Sequence, residues 1–216
     1  MKVDLKPSVR PRDRASNALE SVVLDSQALT PTVRAVRISK PPGFTFKVSQ
    51  AVRLILPAAG GESRLLSIAS APTRDYLEFA ARISSSRFKR AFAALQPGDP
   101  VAISTPKGHF PFADDRPAIL VAAGVGITPL KSMAEYANDL KLKTPIVLLY
   151  GNRSPDEIAF RAQLDELQAA NPYFRIVYTV SQSDRTWPGR VGRITPNLLE
   201  EVADEYERPL FYLAGP

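Results

Sequence analysis

The sequence predicts two domains: an N-terminal antiparallel, all-β Greek-key barrel, then an α/β unit with a doubly wound parallel sheet. Three observations carry this. Residues 21–112 hold short runs rich in Val, Ile, Leu and aromatics, punctuated by Pro41-Pro42-Gly43, Gly60-Gly61, Pro72-Thr73 and Pro97-Gly98-Asp99. After Asp115 the pattern changes to buried apolar runs alternating with helical spacings. The chain has 216 residues, 44% of them hydrophobic, enough for a sizeable core in more than one unit.

Residues 1–19 read as a basic tail, because Lys2, Lys6, Arg10, Arg12 and Arg14 alternate with prolines and leave little to bury. The barrel is expected over 20–113, with strands at Ser21–Leu29, Thr32–Ser39, Val52–Pro57, Leu65–Ser70, Tyr76–Ile83 and Val101–Ser104. Thr32–Ser39 alternates imperfectly, since Arg34 and Arg37 fall on opposite faces. Phe88, Ala91, Phe92 and Leu95 are spaced for one helix over Arg87–Leu95. The α/β unit is expected over 114–216. Its strands are Ala118–Ala122, Pro145–Tyr150, Phe174–Val180 and Pro209–Leu213, and its helices Thr128–Leu140, Pro155–Ala169 and Pro196–Glu205. Ligands of such sheets sit beyond the carboxyl ends of the strands, here at 122–128, 150–154, 180–184 and 213–216.

Composition removes whole classes of chemistry. There is no cysteine, hence no disulfide, iron–sulfur ligation or cysteine nucleophile, and any such centre must belong to a partner. The single histidine, His109, allows no multi-histidine metal site, and no metal is expected. Neither a G-x-S-x-G elbow nor a P-loop is present. No apolar run reaches the roughly 18 residues of a membrane span. No signal-peptide core is visible in the first twenty residues, so a cytoplasmic location is the expectation. The net charge of +6 is uneven: residues 21–112 hold 12 basic and 5 acidic side chains, residues 113–216 hold 11 and 14. A basic first half suits a phosphate-bearing ligand, an acidic partner or nucleic acid, or is a solvated face. No nucleic-acid motif accompanies it, so no nucleic-acid partner is expected.

Ala123-Gly124-Val125-Gly126-Ile127-Thr128-Pro129 follows a buried strand. Its glycines permit a tight turn and close approach of a ligand, Thr128 can cap the helix, and Pro129 suits its first turn. Free amides and the positive end of the helix dipole then face a phosphate. The third glycine of the dinucleotide fingerprint is missing. Arg64-Leu65-Leu66-Ser67-Ile68-Ala69-Ser70 ends a Gly-rich loop with a guanidinium and follows it with hydroxyls, a donor set for a diphosphate and a ring. Ser84-Ser85-Ser86-Arg87-Phe88-Lys89 opens a helix with hydroxyls and cations.

Taken in order, these segments resemble the ferredoxin–NADP reductase family over residues 21–216. Arg64–Ser70 resembles its Arg-x-Tyr-Ser flavin motif. Ser86–Lys89 with Leu95 and Gly98-Asp99 resembles its pyrophosphate helix, and Pro106-x-Gly108-x-Phe110 the turn closing the barrel. Gly124-x-Gly126-Ile127-Thr128-Pro129 resembles its nicotinamide nucleotide motif. Tyr150-Gly151-Asn152-Arg153-Ser154 with Phe160, and Trp187-x-Gly189-x-x-Gly192-Arg193, resemble later nucleotide loops. Ala214-Gly215-Pro216 stands where the family has Cys-Gly-Pro.

The resemblance implies FAD, with FMN as the alternative, held by Arg64, Leu65, Leu66, Ser67, Arg82, Ile83, Ser84, Ser85, Ser86 and Lys89. It implies NADH or NADPH held by Gly124, Gly126, Thr128, Pro129, Gly151, Asn152, Arg153, Ser154, Ser181 and Gly215. Hydride would pass from nicotinamide to flavin N5, with Ser67 near N5 and Ala214 at the position of the family cysteine. Electrons would go on to an acceptor protein or small molecule. Leu66 replaces the stacking tyrosine, Ala214 replaces the cysteine, and Pro216 comes before the family's last helix and strand, so a C-terminally short chain is expected. An alternative reading is therefore a flavin- or nucleotide-binding subunit or sensor with little reductase activity, working beside a separate subunit. Ser181 and Arg185 suit a 2′-phosphate and Asp184 opposes it, which leaves NADH and NADPH both open.

Overall fold

The computed structural model describes residues 18–113, 115–183 and 186–216. Most of the expected tail, together with Asp114, Asp184 and Arg185, lies outside the described residues.

The first sheet contains β1 (Leu19–Ala28), β2 (Val33–Ser39), β3 (Ala51–Leu56), β4 (Glu62–Ser67), β5 (Tyr76–Arg82) and β6 (Pro100–Ile103), with α1 (Arg87–Ala94) between the last two. Its order, β4-β3-β6-β1-β2-β5, is antiparallel throughout. The gap between β4 and β5 closes just past β4, where the Ala69 amide donates to the Glu78 carbonyl at 2.7 Å. This closure explains why β4 ends at Ser67 rather than the expected Ser70: residues 68–70 leave β3 and turn to β5. Val36, Ile38, Leu54, Leu77, Phe79, Phe88, Phe92 and Ile103 fill the interior, and none is measurably exposed. Ser86 caps α1, accepting from the Lys89 amide.

The second sheet contains β7 (Ala118–Ala123), β8 (Ile146–Asn152), β9 (Phe174–Val180), β10 (Arg190–Val191) and β11 (Leu210–Ala214), all parallel. Its order, β10-β9-β8-β7-β11, turns back beside β7, which creates a switch point between β7 and β11. Helices α2 (Ile127–Asp139) and α3 (Arg161–Ala170) pack on one face, and α4 (Pro196–Ala203) on the other.

Two elements differ from expectation. The helix expected over 155–169 is a 3-10 turn at Pro155–Glu157 followed by α3. Between them Ile158, Ala159 and Phe160 are buried, and Phe160 takes a left-handed backbone (φ 60°), which breaks the helix. Helix α2 starts at Ile127 after a 3-10 turn at Gly124–Gly126, so Thr128 lies inside it. Its hydroxyl donates to the Val125 carbonyl (3.3 Å) instead of capping an amide.

The imperfect alternation of β2 has a structural cause: both of its faces are covered. Val36 and Ile38 face the barrel interior, while Val33 and Ala35 join the core of the second unit. On β5, likewise, Leu77, Phe79 and Ala81 face inward and Ala80 faces the second unit. Helix α2 lies against this outer face, and ten of its thirteen residues are buried. Lys131, fully buried, ion-pairs with Glu78 of β5 (2.9 Å) and Glu135 (3.4 Å). Glu78 also pairs with Arg37 of β2 (2.8 Å), and Arg74 reaches Glu135 and Asp139. Ser132 donates to the Ser70 carbonyl, Ser49 donates to the Pro129 carbonyl, and the Ala71 amide donates to Glu135.

Burial alone would raise the Glu78 pKa, but Lys131 and Arg37 outweigh it and hold the carboxyl below its ordinary 4.5. A depressed carboxyl stabilises the fold fully above its unfolded value, and that contribution is lost as the pH falls through the folded value. The urea midpoint should therefore carry a Glu78 contribution that is flat above about pH 5 and declines below pH 4.5. Comparing pH titrations of the wild type and Glu78→Gln measures it: the variant should be less stable at neutral pH, and the gap should narrow in acid.

Candidate functional site

The carboxyl ends of β7, β8, β9 and β11 converge on the turn that opens α2. Gly124 adopts a left-handed backbone (φ 52°), as a turn this tight requires. Its carbonyl accepts from the Tyr150 hydroxyl at 3.0 Å. Tyr150 is fully buried, and burial pushes its phenol up, so it stays protonated as the donor. Asn152, at the end of β8, places its buried amide beside the Tyr150 hydroxyl, but neither its oxygen nor its nitrogen makes a hydrogen bond of good geometry. Buried polar atoms are usually paired, so an amide without a well-formed bond at the ligand-binding end of a parallel sheet fits a polar ligand. The neighbouring loops are braced by their own backbone: the Ser181 amide donates to the Asn152 carbonyl, the Gln182 amide to the Arg153 carbonyl, and Arg153 Nε to Gln182. The Ser154 hydroxyl is engaged by Asp156.

Gly126 has a packing role in the free chain. A Cβ there would lie 2.4 Å from the Ala214 carbonyl oxygen and 2.8 Å from the Gly215 Cα. The close approach that forbids a side chain is thus made by the chain's own β11 exit. Gly215 is confined in turn, with a Cβ at its position 3.0 Å from that of Ala123. Together Gly126, Ala214 and Gly215 form the floor of the switch-point crevice, and Pro129 lies buried in the first turn of α2.

On the barrel side, Arg64 and Leu66 share one face of β4, Leu65 and Ser67 the other. Arg64 is half exposed. Its guanidinium lies 5.5 Å from the Phe88 ring centre, beside the N-terminus of α1, and 3.7 Å from Glu62. Arg87 reaches toward Gly60. Arg64, exposed Ser84 and Ser85, and the first turn of α1 with Lys89 thus form a cationic donor set suited to a diphosphate. The Ser85 carbonyl is occupied by Arg90. Leu66 and Ile83 are half-buried against the barrel core, whereas Leu65 is 54% exposed, so the accessible aliphatic surface of this strand belongs to Leu65 more than to Leu66.

Arg82 departs from its expected place with the flavin residues. Its Nη1 donates to Thr32 (2.6 Å) and pairs with Glu157 (3.1 Å), and its Nη2 lies 3.7 Å from where a Gly124 Cβ would sit. It faces the nucleotide turn from the barrel because β5 points its alternate residues, Glu78, Ala80 and Arg82, toward the second unit. Sequence reasoning missed Glu78, Lys131, Glu135 and Glu157. The available signal was a lysine in the middle of an apolar helical stretch, Leu130-Lys131-Ser132-Met133. A separate cavity of about 420 Å³ flanks β9, lined by Arg161, Tyr178 and Trp187 among others. Its Arg161 guanidinium already stacks on both rings, and the Trp187 indole donates to the Arg190 carbonyl. Among the described residues no cluster of His, Asp and Glu could hold a metal, and no helix is long and apolar enough to cross a membrane.

Residues 120–216 match the oxidoreductase NAD-binding domain family. The chain is 30% identical to ferredoxin–NADP reductase B of Sorangium cellulosum over 194 residues, covering 85% of this chain and 80% of that protein. It is 29% identical to human cytochrome b5 reductase 4, covering 90% of this chain but 42% of that longer protein. Among solved structures, the ferredoxin NADP+ reductase of Neisseria gonorrhoeae with bound FAD and NADP superposes with a TM-score of 0.76 at 25% identity, covering 92% of this chain and 85% of that one.

Replacing Gly126 by alanine should force Ala214–Gly215 away from α2. Hydrogen exchange should then rise over 210–216 in the free protein, and affinity for a pyridine nucleotide should fall at least about tenfold, since a Cβ at 2.4 Å cannot be accommodated without backbone movement. Unchanged exchange with lost affinity would instead mean that Gly126 meets the ligand directly.

Proposed function

Because the chain belongs to the ferredoxin–NADP reductase family, we propose that it is an NAD(P)H-dependent flavoprotein oxidoreductase that passes hydride from NADH or NADPH to FAD and electrons on to a redox protein or small-molecule acceptor. The observation that carries this reading is the covalent and packed continuity between the two donor sets. Strand β4, with Arg64 and Ser67, runs directly into Ser70, whose carbonyl is bound by α2, the helix opened by Gly124–Gly126. FAD, when bound, supplies a ring atom that takes up a hydride and a ring system that can release its electrons to an acceptor.

In this reading residues 20–113 hold FAD and residues 114–216 the nucleotide, in a cytoplasmic protein. Arg64, Ser84, Ser85 and the first turn of α1 up to Lys89 neutralise the FAD diphosphate. Ser67 offers a short hydroxyl to the ring, and Leu65, on the same face of β4, gives an exposed apolar surface, while Leu66 packs on the barrel core from the other face. Gly124, Thr128, Pro129 and the dipole of α2 receive the nucleotide diphosphate. The Asn152 amide meets the nucleotide's polar groups, with Gly151, Arg153, Ser154 and Ser181 shaping the neighbouring wall. Ala214 and Gly215 border the nicotinamide. Arg82, held by Glu157, lies beside the Gly124 turn and so faces the nucleotide rather than FAD.

Purified protein given FAD should develop the visible absorption of bound oxidised flavin, and NADH or NADPH should bleach it. Arg64→Ala should weaken FAD binding by about 10- to 100-fold, the worth of one charge-assisted hydrogen bond to a phosphate. Protein that takes up no flavin would overturn the reading. Flavin that binds but is bleached by neither nucleotide would leave a flavin-binding subunit.

A further inference from the structure

From the buried charges between the two units we infer that Lys131, through Glu78 and Glu135, is a positioning residue that fixes the register of the nucleotide-holding turn against the flavin-side strand. The inference rests on the proposed function for its kinetic arm, but the clamp itself is a property of the free chain.

The apolar part of the contact sets that register only weakly. Its fully buried barrel members, Val33, Ala35, Ala69 and Ala80, are small, and the larger Leu29, Val48, Phe110 and Phe112 are only partly buried against it. Dispersion and burial favour contact there but discriminate weakly between positions along the helix. The directional contacts do discriminate. Glu78 is held from two sides, with one carboxylate oxygen on Arg37 at 2.8 Å and the other on Lys131 at 2.9 Å. Its own amide donates to the Ser70 hydroxyl, while Ser132, the neighbour of Lys131, donates to the Ser70 carbonyl at 2.8 Å. Ser70 lies three residues after Ser67, and Lys131 lies one helical turn after Ile127. The path from one reacting group to the other therefore crosses this cluster within a few residues on each side. Lys131 and Glu78 have no measurable exposure, so water does not soften the pair, and Phe160 of the α3 N-terminus closes over the ammonium at 5.1 Å. Hydride transfer is steeply sensitive to donor–acceptor placement, with a displacement near 1 Å costing about a hundredfold.

The test compares Lys131→Met, Lys131→Arg and Glu78→Gln with the wild type. In the free protein, hydrogen exchange over 68–82 and 127–139 should rise together in Lys131→Met and return most of the way in Lys131→Arg. In the FAD-loaded protein, Lys131→Met should slow single-turnover flavin bleaching by about 30- to 100-fold while the nucleotide dissociation constant changes less than about threefold. A 4-deuterated nucleotide should then give a larger isotope effect on turnover, a change that loss of folded protein does not produce. If Lys131→Met does not fold, Glu78→Gln carries the test, with the same split at smaller size. Unchanged exchange in both segments, or a loss shared equally by affinity and rate, would overturn the inference. Failure of the wild type to be reduced by either nucleotide would fell the functional reading instead, and the exchange arm would still decide the clamp.

Discussion

Helix α2 must be buried on two sides at once, against its own parallel sheet and against the outside of the barrel, and much of the molecule follows from that. An element in this position can be apolar all round or can carry paired charges. This one carries Lys131 facing Glu78 and Glu135, with Arg37 and Arg74 completing the set. Removing one member of a buried pair typically costs about 3–5 kcal/mol, because the other is left uncompensated, whereas replacing a whole pair with well-packed apolar groups is often neutral. The cluster is therefore poorly explained as a source of net stability. What paired charges add and apolar contact lacks is direction. The same requirement covers both faces of β2 and β5, which is why neither strand alternates cleanly in sequence.

The nucleotide turn depends on a second constraint, the exit of β11. Because the sheet order places β11 beside β7, the backbone of Ala214–Gly215 passes directly against Gly126. The turn is held from below by Tyr150, whose phenol reaches the Gly124 carbonyl, and Arg82 of the barrel, paired with Glu157, lies beside it. Strands β8 and β11 thus set the geometry of the few residues that open α2. The Asn152 amide, beside the Tyr150 hydroxyl yet without a well-formed hydrogen bond, is the counterpart of that order.

The fold was legible in the sequence where the hydrophobic pattern reported on a single environment. Phe174–Val180 is recovered residue for residue and the other long strands to within three residues at each end, and β7 and β8 read as continuous apolar runs because both of their faces are covered. The pattern misled where tertiary contacts override local preference. Leu65–Ser70 reads as one strand, yet its second half switches partners to close the barrel. Pro155–Ala169 reads as one helix, yet Phe160 is turned into the core at positive φ. Thr128 has the chemistry of a cap but lies two positions past the cap, Gly126. Within the candidate site, the glycines and the arginine on β4 stand out in the sequence because their chemistry is local. The pairing of Arg82 with Glu157 does not, because it joins residues 75 positions apart, a separation no short motif encodes.

Charge asymmetry is the point on which sequence and structure illuminate each other most. A barrel half with 12 basic and 5 acidic residues, followed by an acidic half, suggests an anionic ligand for the first. Part of the asymmetry has a different origin. Arg74 pairs with Glu135 and Asp139, and Arg82 pairs with Glu157, so two barrel cations are spent on three carboxylates of the second unit. Lys131 runs the opposite way, a cation from the acidic half placed on a barrel carboxylate. Part of what looks like a field for a ligand is thus complementarity between two parts of one chain. Subtracting Arg74 and Arg82 still leaves ten basic side chains on residues 21–112, so net charge alone singles out no site. What suits a diphosphate is the local grouping of Arg64, Arg87 and Lys89 around the start of α1, where helix amides and dipole add to it.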